Sequence, residues 1–275
     1  MSALESGRTF LHAQARLLER RVFACRFEGA SPQGVLDAVR AYRNDDGGFG
    51  FALEPDLRAP TSQPIFVEIA LQAMYGSGAF DSDLLQGACD WLQTVGTAHG
   101  AVGPALPDAQ AYPRAAHWNG DWAVTPSLNP TAAIAGYLHV MGVQHAWIEK
   151  AVAWCLKRID EDSITSAHTL RAAMRLTEAL GDDARTAKLA AQLDAAEWFQ
   201  RSVPVTSYTM TPLHFPRGLF DEATLEAHLD DLVARQQDDG GWPVLWEAPG
   251  AAATAEWRGR WTLDALVTLR SFGRT

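Results

Sequence analysis

The chain has no uninterrupted apolar run of about 18 residues, the length a membrane-crossing helix needs, so no transmembrane segment is expected. Its opening segment, MSALESGRTF, lacks the apolar stretch of a secretory leader, and no signal peptide is expected. Cysteine is scarce. Cys25, Cys89 and Cys155 are odd in number, widely spaced and each inside a helical pattern, which suits packing thiols in a reducing cytoplasm better than disulfides or a metal cluster. Positive charge is in deficit, with Lys+Arg 23 against Asp+Glu 33 and a formal net charge of −10. Neither nucleic acid nor an anionic membrane surface is an expected partner for such a chain, whereas an anionic small molecule needs only one local basic pocket. No two segments read as partnered strands. The histidines show no ligand spacing, so no metal site is expected.

What the chain does have is repetition. Residues 39–49 (VRAYRNDDGGF) align with residues 232–242 (LVARQQDDGGW), so that Asp45-Asp46-Gly47-Gly48-Phe49 is matched by Asp238-Asp239-Gly240-Gly241-Trp242. In the same register Glu54 falls opposite Glu247. Each copy follows a helix-period segment and precedes a long loop, the sequence signature of a helical repeat protein.

Apolar spacing predicts helices over residues 1–29, over a segment opened by Ser31-Pro32, and over residues 61–74, 83–95, 129–142, 145–159, 163–180, 184–199, 221–237 and 261–271. Residues 61–74 and 129–142 are apolar nearly all round, with Glu68 the only formal charge of the first and none in the second. Helices without a polar face are enclosed by other helices, whereas striped ones such as 83–95 and 145–159 have one wet face. Enclosed and one-sided helices alternate along the chain. This pattern predicts an all-α fold, an α/α toroid of about five to six helical hairpins spanning residues 1–275 as one domain, with long loops gathered at one mouth.

Leu232, Gln236, Gly240 and Trp242 stand at the spacing of the QW repeat, and Arg43, Gly47 and Phe49 form a degenerate copy; in these residues the chain resembles the terpene cyclases and protein prenyltransferases. The resemblance implies the toroid fold and a structural role for Gln236 and Trp242. It also implies chemistry on an isoprenoid, by protonation or by guidance of a carbocation. Asp160-Glu161-Asp162-Ser163 is the nearest match to the acid motif of the proton-initiated cyclases, with Asp162 at the position of the acid and the last carboxylate missing. Metal motifs of the DDxxD type and the zinc ligands of the prenyltransferases are absent from the sequence. No cofactor is therefore expected, and Mg2+ would enter only with a diphosphate substrate.

Within the loop of residues 53–64, two prolines fix a path that carries Glu54, Asp56, Arg58 and Gln63 to the start of an apolar helix, where dipole and free N–H groups suit anions or oriented carboxylates. The bland reading is an Asp56–Arg58 surface ion pair with Ser62 as cap. Glu54 and Glu247 either form an acid/base pair on one rim or brace their own loops. Glu68, inside an apolar helix, either faces a cavity with a raised pKa or has a buried partner. Asp162 is a candidate acid or a helix cap. His117-Trp118-Asn119-Gly120-Asp121-Trp122 forms a second candidate cluster, and Tyr208, His214, Trp246, Trp257 and Trp261 lie in or beside long loops. Aromatic walls suit carbocations and sugar rings alike, or simply plug the loops. The expectation is thus a terpene-cyclase-like enzyme in which Asp162, Glu68 or Glu54 supplies the proton; in a sugar-active enzyme the acid and base would be Glu54 or Asp56 with Glu247. The substrate-binding residues would be Arg58, Gln63, His117, Trp118, Asp121, Trp122, Tyr208, His214, Trp246 and Trp257. A sugar-active hydrolase, lyase or epimerase and a non-catalytic binder of lipid or protein are the alternatives.

Overall fold

The computed structural model describes residues 2–274, and among them the regular structure is entirely helical, with isolated β-bridges but no strands. No helix among the described residues is long and apolar enough to cross a membrane. The predicted first helix is two: α1 (Ala3–Gln14) and α2 (Leu17–Glu28). The break falls at Ala15 and Arg16, both extended, where the Arg16 guanidinium is committed to Glu19 and to the carbonyls of Ala52 and Leu53. Side-chain demand has overridden a continuous apolar period. Ser2 starts α1 with a reciprocal capping box to Glu5, and Gly29, left-handed at φ 72, ends α2.

The remaining helices are α3 (Gln33–Arg40), α4 (Pro64–Ser77), α5 (Ser82–Val95), α6 (Leu128–Val140), α7 (Ala146–Glu161), α8 (Ala167–Ala179), α9 (Asp183–Ala190), α10 (Glu222–Ala234) and α11 (Ala251–Ser271). Two boundaries differ materially from the sequence pattern. The helix expected over 184–199 stops at Ala190, and α11 begins ten residues earlier than position 261, which puts Trp257 on a helix instead of a loop. The aromatic spacing of residues 251–261 gave no one-sided stripe, because both faces of this segment are in use. Asp81 and Asp221 cap α5 and α10 through the backbone N–H groups of Leu84 and Thr224.

Helices α11, α2, α4, α6 and α8 touch in that series, with α6 lying most intimately against α8. Helix α6 is buried without interruption from Pro130 to Leu138, as its lack of a polar face requires. Helix α1 packs on α11 and α2, α3 on α2 and α4, α7 on α6 and α8, and α5 on α7.

The repeated sequence forms the same turn twice. In the first copy Asn44 N–H donates to Gly48 O and Asn44 O accepts from Gly47 N–H, while Asp46 Oδ1 accepts from Gly48 N–H at 2.9 Å; in the second, Gln237 N–H donates to Gly241 O and Gln237 O accepts from Gly240 N–H, while Asp239 Oδ1 accepts from Gly241 N–H at 3.0 Å. Gly47 and Gly240 have φ of +93 and +89, and a Cβ there would lie 2.6 Å from Gly87 O on α5 and 2.2 Å from Ser6 O on α1. Each Asp-Gly-Gly turn is therefore pressed onto the next helix in a way only glycine permits. Gln236 Nε2 donates to the carbonyls of Ala3 and Gly240, which holds the turn to α1, and Trp242 Nε1 donates to that of Leu232, which holds it to α10.

Candidate functional site

The loop between α3 and α4 turns sharply at Phe51 and Ala52, each at φ 56, and is strapped by backbone bonds from Ala52 to Ala59, from Arg58 to Pro113 and from Ala115 to Asp56. Glu54 is buried within it and braces it: its Oε2 accepts from the N–H groups of Asp56 and Leu57 at 2.6 and 3.0 Å. Burial, with Asp56 close by, raises its pKa to about 8, and those two N–H groups offset only part of the rise. Arg58 does not pair with Asp56. It forms a two-pronged pair with Glu256 on α11 at 2.6 and 3.2 Å. Gln63 is consumed in the same way, accepting from Leu106 N–H and donating to Thr61 and Asp108, which fastens the loop before residue 107 to the start of α4.

Asp56 is left as the unusual group. It is 1% exposed, and no Lys or Arg among the described residues pairs with it. Its Oδ2 accepts from the indole N–H of Trp246 at 2.7 Å and lies 3.8 Å from His117 Nε2; its Oδ1 is buried without a partner. Desolvation raises its pKa, opposed by the indoles of Trp257 and Trp246 and by His117. Burial lowers the pKa of His117, and the nearby Asp56 opposes the shift. Trp246 meets Tyr208, Trp257 and Trp261 at centroid distances of 4.9, 4.9 and 5.9 Å, and His168 stacks on the far side of Tyr208 at 5.6 Å. These half-buried rings form one aromatic wall beside the acid.

Other candidates fall elsewhere. Glu247 is exposed and makes no hydrogen bond, so the two copies meet through Trp246 on Asp56 and not through paired glutamates. Asp162 ends α7, ion-paired with Arg158 one turn back, and has no part in the group; α8 opens only at Ala167, so no acid stands at its first turn. Trp118 is buried against the exposed Trp122, whose N–H is taken by His117 O, and Asp121 is exposed. His214 is held at pKa about 3 by burial and accepts from Thr211 N–H through Nδ1, a turn-closing role.

Below the aromatic wall, α4, α8 and α11 bring together polar groups that sequence reasoning missed, except for Glu68. On α4 they are Glu68, Gln72 and Tyr75; on α8, Arg171 and Arg175; on α11, Arg260 and Asp264. Desolvation raises the pKa of Glu68, and Arg171, Arg260 and Arg175 pull it back. Asp264 is likewise raised, yet its side chain keeps 42% of its surface exposed. Solvent therefore reaches the Asp264 carboxylate. The signal for these groups was spacing: Glu68 and Gln72 on α4, Arg171 and Arg175 on α8, and Arg260 and Asp264 on α11 each stand one turn apart. No three His, Cys, Asp or Glu among the described residues converge as metal ligands. Two hollows on the outer surface, one at Arg40 and Arg43 and one at Phe10 and Arg258, share no residue with this region. Neither the models of known protein families nor the curated proteins contain a match to the sequence.

Proposed function

We propose that the helices close into an α/α toroid, with α11, α2, α4, α6 and α8 as inner ring, and that the protein is a terpene-cyclase-like enzyme in which Asp56 is the Brønsted acid. The observation that carries this reading is an Asp with no cationic partner, buried beside an aromatic wall, with a raised pKa and one unpartnered oxygen. A protonated carboxyl at that position can give its proton to an alkene carbon, forming a C–H bond and leaving a carbocation on the adjacent carbon. The carboxylate left behind is stabilised by the Trp246 N–H, already 2.7 Å away. The faces of Tyr208, Trp257 and Trp261 suit the cation through their ring quadrupoles. Loss of a proton from the cation to water yields the rearranged alkene, and uptake of one from water restores Asp56. Series contact of the inner helices and the Trp246–Asp56 closure between the two repeats support the toroid.

Neutral polyprenes and prenyl alcohols incubated with the protein, with mass-spectrometric product analysis, test the reading. Rearranged or cyclised product is expected from the native chain, reduced about 100- to 10,000-fold in Asp56→Asn. Stabilisation by sugars alone, with no turnover of any isoprenoid, would overturn it.

A further inference from the structure

Three helices present stripes that descend from the aromatic wall. On α8 they are His168, Arg171 and Arg175; on α11, Trp257, Arg260 or Trp261, and Asp264; on α4, Glu68, Gln72 and Tyr75. Spacings of three, four and seven put each set on one helix face. The upper end is fixed by His168 stacked on Tyr208, and the lower end by Arg175 lying 5.2 Å over the Tyr137 ring and 6.0 Å from that of Tyr75. Seven residues of helix separate the two layers, roughly 10 Å.

The lower layer is rich in guanidinium donors with too few acceptors. Among the described residues Arg171 and Arg175 have no ion pair and no side-chain hydrogen bond. Arg260 donates to Gln72 Oε1 at 2.7 Å, its nearest carboxylate is Asp264 at 3.8 Å, and its Nη1 is buried with no partner. Buried donors are normally satisfied, and Arg is the side chain best shaped to hold a planar or tetrahedral oxyanion by two bonds at once. Desolvation raises the pKa of the two acids here, Glu68 and Asp264, and the guanidinium groups oppose the rise.

We infer that Arg171 and Arg175, with Arg260, form a site for an oxyanion, a carboxylate or phosphate monoester, at the end of the substrate remote from Asp56. The inference deepens the enzymatic reading, since it treats the space between α4, α8 and α11 as a substrate site. It makes the substrate an amphiphile: an apolar, unsaturated portion against the aromatic wall and an acidic head about 10 Å beyond it.

Calorimetric titration of the full chain with decanoate, decyl phosphate, decanol and inorganic phosphate tests this. At least one of the two acidic amphiphiles is expected to bind about tenfold or more tightly than decanol, a preference that shrinks as salt is added. Whichever of decanoate and decyl phosphate binds more tightly identifies the oxyanion. The preference is expected to vanish in the Arg171→Gln/Arg175→Gln double variant and to fall in Arg171→Lys, which keeps the charge and loses the fork. Asp56→Asn is expected to retain it, so loss of turnover and loss of anion binding are separable. Decanol binding as tightly as both acids, or a preference undiminished in Arg171→Lys and in the double variant, overturns the inference. Binding of inorganic phosphate that competes with the amphiphile supports it; phosphate binding without competition places the anion elsewhere and overturns it.

Discussion

The indole N–H of Trp246 donates to Asp56 Oδ2 at 2.7 Å, joining two loops 190 residues apart in sequence. Each loop follows one copy of the Asp-Asp-Gly-Gly repeat, so the contact ties the two ends of the repeat array together over the candidate acid. A donor to the ionised form lowers a carboxyl pKa, and here it works against the desolvation that raises it. Trp246→Phe is therefore expected to shift the Asp56 titration upward, since it removes a hydrogen bond to the charged form. Infrared difference titration of the carboxyl band checks this; an unchanged or lowered midpoint would refute it.

Glu54 makes stability depend on pH in a defined direction. Its folded pKa of about 8 lies above the ordinary glutamate value of 4.5, so between those values the folded chain binds more protons than the unfolded one. Stability from this group is fully present below about pH 4.5 and is lost as pH rises through about 8, on the order of a few kcal/mol in all. Denaturant unfolding across that range should show the decline, and Glu54→Gln should flatten it.

Arg58 contributes to stability through α11. The Arg58–Glu256 pair is partly buried and two-pronged, and a double-mutant cycle is expected to give a coupling of about 1 kcal/mol. A coupling near zero, with substrate affinity lost instead, would return Arg58 to the ligand.

The turn glycines separate strain from collision. Gly240→Ala combines an unfavourable φ of +89 with a Cβ 2.2 Å from Ser6 O, and a cost above about 2 kcal/mol is expected. Gly29→Ala has φ +72 and open space, and should cost only about 1–2 kcal/mol. Equal losses in thermal unfolding would mean that the α1 contact is not tight.

Much of the helical content was legible in the sequence because apolar period and capping residues are local. Gln236 and Trp242 could be read as structural from their place in the repeat, and their bonds to Ala3, Gly240 and Leu232 are of that kind. The α1/α2 break was not legible, because it answers to carbonyls of Ala52 and Leu53 far along the chain. The start of α11 was hidden because Trp257, Arg260 and Asp264 face an inner space while Ala253, Gly259 and Leu263 face the core, leaving no single apolar stripe.

By itself the sequence determined most of the helical segments, which two turns are alike, and that Glu54, Asp56 and Glu68 stand beside or within an apolar helix. Only the tertiary structure decided their states. Arg58 went to Glu256, Glu54 to its own loop, Glu247 to solvent, and Trp246 to Asp56. The reason is physical: a residue's period and propensity are set within a few neighbours, whereas desolvation and pairing depend on which distant groups the packed helices bring within a few ångströms.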